Sequence, residues 1–220
     1  GKSILLRYLQ YLELNTGESI PIFVELRKVK SAGSLLDASN QTLGDLGLKC
    51  SNKLFNFFLS EGHVSLFFDG FDEVSLDERS GFNEEFSRIC STYTKTKITL
   101  TSRHNTEVTT NKHFKNYHIA PLDRSEFPLF IKKILGSEEI YTPILRKIDE
   151  SNGFDFTVLD SPLLATWFII VYNKRLKIPK TKLGFYEDLF EAILSRHDGM
   201  KESHNRDSKS QLSDDEIRII

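Results

Sequence analysis

At 220 residues, with 39% apolar and 27% charged residues, the chain has the composition of an ordinary globular protein of one domain or slightly more. A net charge of −2 supplies no overall electrostatic drive toward nucleic acid or an anionic membrane. Two cysteines, Cys50 and Cys90, make no disulfide framework and point to a reducing, cytoplasmic setting. The chain opens with Gly1-Lys2-Ser3. Apolar residues at Ile4, Leu5, Tyr8, Leu9 and Leu12 follow at helical spacing. "SIPIFVELR" reads as a strand, with Pro21 near its start, where a missing N–H is tolerated. Residues 31–47 read as a loop with one short helix. Lys53–Leu59 reads as a helix stopped by Gly62. "HVSLFFDG" is a second strand, Leu76–Ser91 a helix with Phe82, Phe86 and Ile89 on one face, and "KITLTSR" a third strand. "YHIAPLD" reads as a short fourth. Strands alternating with helices predict an α/β fold with a parallel, three-layer sheet.

After Asp123 the strand signals stop. Ser125 is a candidate N-cap for a helix to about Leu135, with Pro128 at the third helical position. Further helices are expected over 137–149, from Pro162 after an Asp160 or Ser161 cap, and over 183–195. The most apolar run, Leu163–Tyr172, is shorter than the roughly 20 residues a bilayer span requires and reads as a buried helix. The expected organisation is an α/β domain over 1–123, a small helical domain over 124–197, and a polar linker leading into a new helix over 198–220. The last of these has Ser213 as its cap and Glu216 three residues on.

"VSLFFDGFDEV" carries the most specific chemistry. In an open α/β sheet, ligands sit beyond the carboxyl ends of the strands. Asp69 at that point can hold Mg²⁺ through a hard oxygen. Asp72 and Glu73, one turn further, can orient a water for attack on a phosphoryl group. Asp-Gly between apolar runs is also a hairpin signal, but no second strand follows Val74. A solvated acidic turn would not call for three carboxylates directly after a buried strand. Gly1-Lys2-Ser3 has the form of the end of a phosphate-binding loop, with Lys2 for the phosphates, Ser3 for Mg²⁺ and a helix N-terminus behind them. Thr101-Ser102-Arg103 closes the third strand. Arg103 reads equally as a contact to a terminal phosphate and as a surface cation at a strand end. Pro162 reads by itself as ordinary helix-start chemistry.

Together these features resemble the NACHT group of STAND NTPases, signalling ATPases related to the AAA+ proteins. The resemblance covers nearly the whole chain. Gly1-Lys2-Ser3 matches the end of Walker A, and Leu66–Glu73 the extended Walker B. Thr101-Ser102-Arg103 matches sensor 1, and Ser161-Pro162-Leu163-Leu164 the proline motif of the helical domain. "FYEDLFEAILSRHD" and "LSDDEIRII" look like the segments around the start of a winged-helix domain.

The resemblance implies a P-loop NTPase-type fold whose first strand and loop glycines would precede Gly1. It implies that Gly1, Lys2 and Ser3 cradle the phosphates of ATP or ADP, that Ser3 and Asp69 serve Mg²⁺, and that Asp72 and Glu73 position the attacking water. Arg103 would read the γ-phosphate and Pro162 would touch the base. It further implies ATPase activity in a chain with the complete loop and none in these 220 residues alone. The implied protein is a homo-oligomer when ATP-bound, with a trigger sensed C-terminal to this segment, acting in antiphage defence or innate immunity. A nucleotide-independent NACHT scaffold is the alternative. No membrane span and no nucleic-acid partner are expected. The six histidines, at 63, 104, 113, 118, 197 and 204, show no zinc-ligand spacing with a cysteine, so Mg²⁺ is the only metal expected.

Overall fold

A computed structural model describes every residue except 30, 32, 151–155, 176–180 and 202–220. The helix expected after Ser213 therefore lies outside the described residues. The chain divides into two compact units, Gly1–Ile119 and Ala120–Ile220. No helix among the described residues is long and apolar enough to cross a membrane.

The first unit is α/β. Its order is α1 (Lys2–Thr16), β1 (Ile20–Glu25), α2 (Leu35–Asp45), α3 (Asn52–Glu61), β2 (Val64–Asp69), α4 (Leu76–Thr92) and β3 (Lys97–Leu100). The strands form one parallel sheet in the order β1-β2-β3. Central β2 is buried along nearly its whole length, as expected of a parallel strand covered on both faces. Side chains alternate across it. Val64, Leu66 and Phe68 join Ile22 and Val24 of β1 in one core, closed by Leu35 and Leu43 of α2, Phe55 and Leu59 of α3, and Phe82, Phe86 and Ile89 of α4. The opposite face belongs to α1. Leu6 is buried, and the Arg7 guanidinium lies 4.6 Å over the Phe23 ring. The result is a small three-layer α/β unit.

The 31–47 segment is more regular than its Ser, Gly and Asn content suggests, because α2 spans Leu35–Asp45. Its support is distant in sequence. The buried Glu85 of α4 accepts from the backbone N–H groups of Gly33, at 2.6 Å, and Leu35, at 3.1 Å. It thus acts as a cap supplied by another helix, with its negative charge at a positive helix end. Gly62 closes α3 at φ 73, and a Cβ there would stand 2.8 Å from the Lys95 carbonyl oxygen. Only glycine meets both conditions.

The expected fourth strand is not present. Residues 117–123 pair with no strand, and Tyr117 and Ile119 are exposed. A single strand has no internal hydrogen bonds and forms only against a neighbour. Here the Leu122 N–H bonds the Asp160 carbonyl instead, at 2.6 Å.

In the second unit, α5 (Phe127–Leu135), α6 (Glu138–Glu150), α7 (Pro162–Arg175) and α8 (Lys182–Lys201) pack around Phe127, Ile131, Ile144, Ile148, Phe168 and Phe185. Helix α8 thus runs on past the expected end at Ser195. The cap of α5 is Glu126 rather than Ser125, and Pro128 is the second helical residue rather than the third. The Asp123 carboxylate explains the shift. It takes both the hydroxyl and the N–H of Ser125 at 2.7 Å, drawing that residue into a turn before the helix. Pro162 is the first residue of α7, where its missing N–H costs no intrahelical bond.

Candidate functional site

Parallel pairing sets the site. In register, Glu25 lies beside Asp69, and Phe68 beside Leu100, so Thr101 follows on beside Asp69. Three strands therefore end at one edge with Glu25, Asp69 and Thr101 in a row. Carboxyl edges of this kind are where open α/β sheets bind ligands.

Helix α1 runs antiparallel to the strands. Arg7 is 3.8 Å from Glu25 at the end of β1, whereas Gln10 donates to the Pro21 carbonyl near its start, at 3.4 Å. Further along, Glu13 meets Ser19 and Lys97, which precede or begin strands. Continuing back from Arg7 at about 1.5 Å per residue carries the helix start roughly 7.5 Å further in the direction of the carboxyl edge. Gly1, Lys2 and Ser3 thus lie at the end of α1 that faces Asp69's side of the sheet. Gly1 is the N-cap and offers no side-chain acceptor, and the first turn carries no acid. Neither the cap nor the first turn therefore supplies an anion to the free N–H groups and the positive dipole end.

The Asp69 carboxylate is oriented from β3. The Thr101 hydroxyl donates to Asp69 Oδ1 at 2.6 Å and accepts the Gly70 N–H at 2.9 Å. Backbone bonds from Thr101 N to Phe68 O, at 3.0 Å, and from Phe71 N to Thr101 O, at 2.9 Å, extend the pairing past the strand ends. Gly70 stands at φ 80, and a Cβ on it would lie 3.1 Å from Glu73 Cδ. That glycine lets the chain turn sharply into the 3₁₀ turn Phe71–Glu73. Phe71 anchors the turn in the core against Phe86. Arg79 fastens it from outside, donating to the carbonyls of Val74, at 3.0 Å, and Asp72, at 2.6 Å.

The two further acids face different cations. Asp72 is held by Arg103 through two bonds, from the backbone N–H to Oδ1 and from Nε to Oδ2, each 3.0 Å long. Glu73 is half exposed, and its nearest cation is Arg27, at 3.7 Å. Arg27 also meets Glu25 at 2.8 Å, and Lys28 meets Glu25 at 3.2 Å. The Arg27 hydrogen bond, then that of Lys28, holds the Glu25 carboxyl below the usual carboxylate range.

The structure thus gathers Asp69, Asp72, Glu73, Thr101 and Arg103 at one edge and points the start of α1 the same way. Pro162 lies in the second unit. Sequence reading missed Glu25, Arg27 and Arg79. Glu25 had a signal, since it ends a β-branched run as Asp69 ends another, but the sequence does not show that the two runs are paired in register. Among the described residues no three His, Cys, Asp or Glu side chains converge as a ready-made metal cage. A Mg²⁺ site needs no such cage, because that ion keeps several waters and takes one or two carboxylates together with phosphate oxygens. A carboxylate held by a hydroxyl, with a second hydroxyl on the helix start, fits that demand. No family model matches the chain, and no curated protein matches it.

Proposed function

We propose that the first unit is the nucleotide-binding unit of a NACHT-type STAND NTPase, a P-loop ATPase that serves as an ATP/ADP-dependent switch. One observation carries the reading: the Gly-Lys-Ser helix start and the Asp69–Thr101 pair lie toward the same carboxyl edge of a parallel sheet. Under this reading Gly1, Lys2 and Ser3 hold the phosphates, with the Lys2 ammonium as a mobile charge beside the helix dipole. Ser3 and Asp69 are the residues that would hold Mg²⁺, which when bound neutralises charge on the phosphate oxygens. Glu73 takes the proton of the attacking water and Asp72 orients it. Arg103 contacts the γ-phosphate. ATP favours one conformation and ADP another. The ATP form assembles into a homo-oligomer in response to a trigger, as a signalling step in defence.

A second reading is supported by the ion pairs. Asp72 is engaged by Arg103 and Glu73 faces Arg27, which suits a scaffold that uses these acids to hold its own loops. Nucleotide binding decides between the two. In the natural protein containing these residues, titration with a fluorescent ADP analogue should show binding that Lys2→Ala removes, since a methyl group cannot replace a charge-assisted contact. Equal affinity in the variant rules out the role given to the first three residues.

A further inference from the structure

Two of the histidines that the sequence leaves scattered lie together in space. His104 and His118 are separated by 14 positions, yet their ring centroids are 4.8 Å apart with the planes tilted by 35°. Both residues are exposed and both belong to the first unit. We propose that this pair is a surface binding site for a borderline transition-metal cation of the Zn²⁺, Ni²⁺ or Cu²⁺ class.

The chemistry suits that class. Neutral imidazole is a favoured ligand for these ions, and exposed positions allow water to complete the coordination. A cation about 2.0–2.1 Å from one nitrogen of each ring requires two rings side by side. The two rings already stand with their centroids 4.8 Å apart, so binding does not have to bring distant segments together.

The His104 side is fixed in place. The next residue, Asn105, adopts φ 62, a left-handed turn that asparagine tolerates. The turn is held by Thr106, whose hydroxyl pairs with the Ser102 hydroxyl at 2.7 Å and donates to the Arg103 carbonyl at 3.3 Å. His118 sits on the 117–119 segment, which has no ladder of its own. A bound cation therefore cross-links that segment to the turn directly after Arg103. Metal occupancy would stiffen the surroundings of the Asp72–Arg103 pair whatever the function of the sheet edge.

The test is titration of NiCl₂ into the untagged 220-residue chain, followed by calorimetry and by imidazole proton NMR. One Ni²⁺ per chain is expected, with paramagnetic broadening centred on the His104 and His118 resonances. His104→Ala and His118→Ala should each weaken binding by at least the roughly 10–100-fold that loss of an outer partner costs at metal sites. His113→Ala, which removes a ring set 3.4 Å from the Ser91 hydroxyl, should bind as the parent does. All three substituted positions are exposed, so unchanged circular dichroism is expected in all variants. The proposal is overturned by absence of binding, by binding that survives in the double variant, or by broadening centred on any other histidine.

Discussion

Arg103 and Asp72 meet through two atoms of each residue, one bond coming from the backbone N–H and one from the side-chain Nε. The carboxylate is largely buried and the guanidinium largely exposed, with side-chain exposures of 15% and 79%. The two substitutions should therefore differ. Asp72→Ala strips an acceptor from the Arg103 N–H and should cost about 1–3 kcal/mol in urea denaturation. Arg103→Ala keeps the backbone bond and loses an exposed ion pair, so it should cost no more than about 1 kcal/mol. An equal or reversed order would mean that the pair does not hold the turn.

Glu73 is the more accessible acid of the pair. In the natural protein, Glu73→Gln should bind ATP and hydrolyse it at least about 100-fold more slowly, because an amide cannot take the proton of the attacking water. Its binding should persist because Asp69 is untouched. Rapid-quench measurement of hydrolysis, together with size-exclusion chromatography in ATP, checks both halves. Normal turnover in this variant would transfer the role to Asp72.

Glu85 holds the start of α2 from another helix. Glu85→Ala should remove about 1–3 kcal/mol, because the buried Leu35 N–H and the part-buried Gly33 N–H lose their acceptor. Hydrogen exchange should show the loss concentrated in α2. Protection unchanged over 35–45 would count against the capping role.

The Glu13 carboxyl is held below its ordinary value of 4.5, first by the Ser19 hydroxyl at 2.6 Å and then by Lys97. A depressed folded value means that the charged form stabilises the fold. That contribution is complete above the unfolded value and is lost as the pH falls through the folded one. The stability gap between the parent chain and Glu13→Gln should accordingly be widest above the ordinary carboxylate range and close as the pH falls below it. A gap independent of pH would show that the Glu13 charge adds nothing.

Much of the fold is legible residue by residue. Val64–Asp69 reads as a buried strand because five apolar or small residues run into an acid with no alternation. Phe82, Phe86 and Ile89 read as one helix face because helical spacing is local. Gly62 and Pro162 are legible for the same reason, since each acts through its own backbone. The errors share an opposite cause. Residues 117–123 carry strand-like residues but pair with no strand. Ser125 is a good cap by type, but Asp123 takes its hydroxyl. The one short helix expected in 31–47 is α2, but the carboxylate it stands on lies fifty positions away.

The same division runs through the candidate site. The sequence by itself determined which acids end an apolar strand, that a lysine and a serine open a helix, and that glycine follows Asp69. Those are properties of neighbours in the chain, governed by propensity and by backbone sterics. Only the tertiary structure decided that Thr101 orients Asp69, that Arg103 engages Asp72 while Arg27 faces Glu73, and that His104 lies against His118. Each of these depends on the parallel register of β1, β2 and β3 or on the path of the loops that leave them. Register is set by burying both faces of the sheet together, a condition on the whole unit that no short stretch of sequence states.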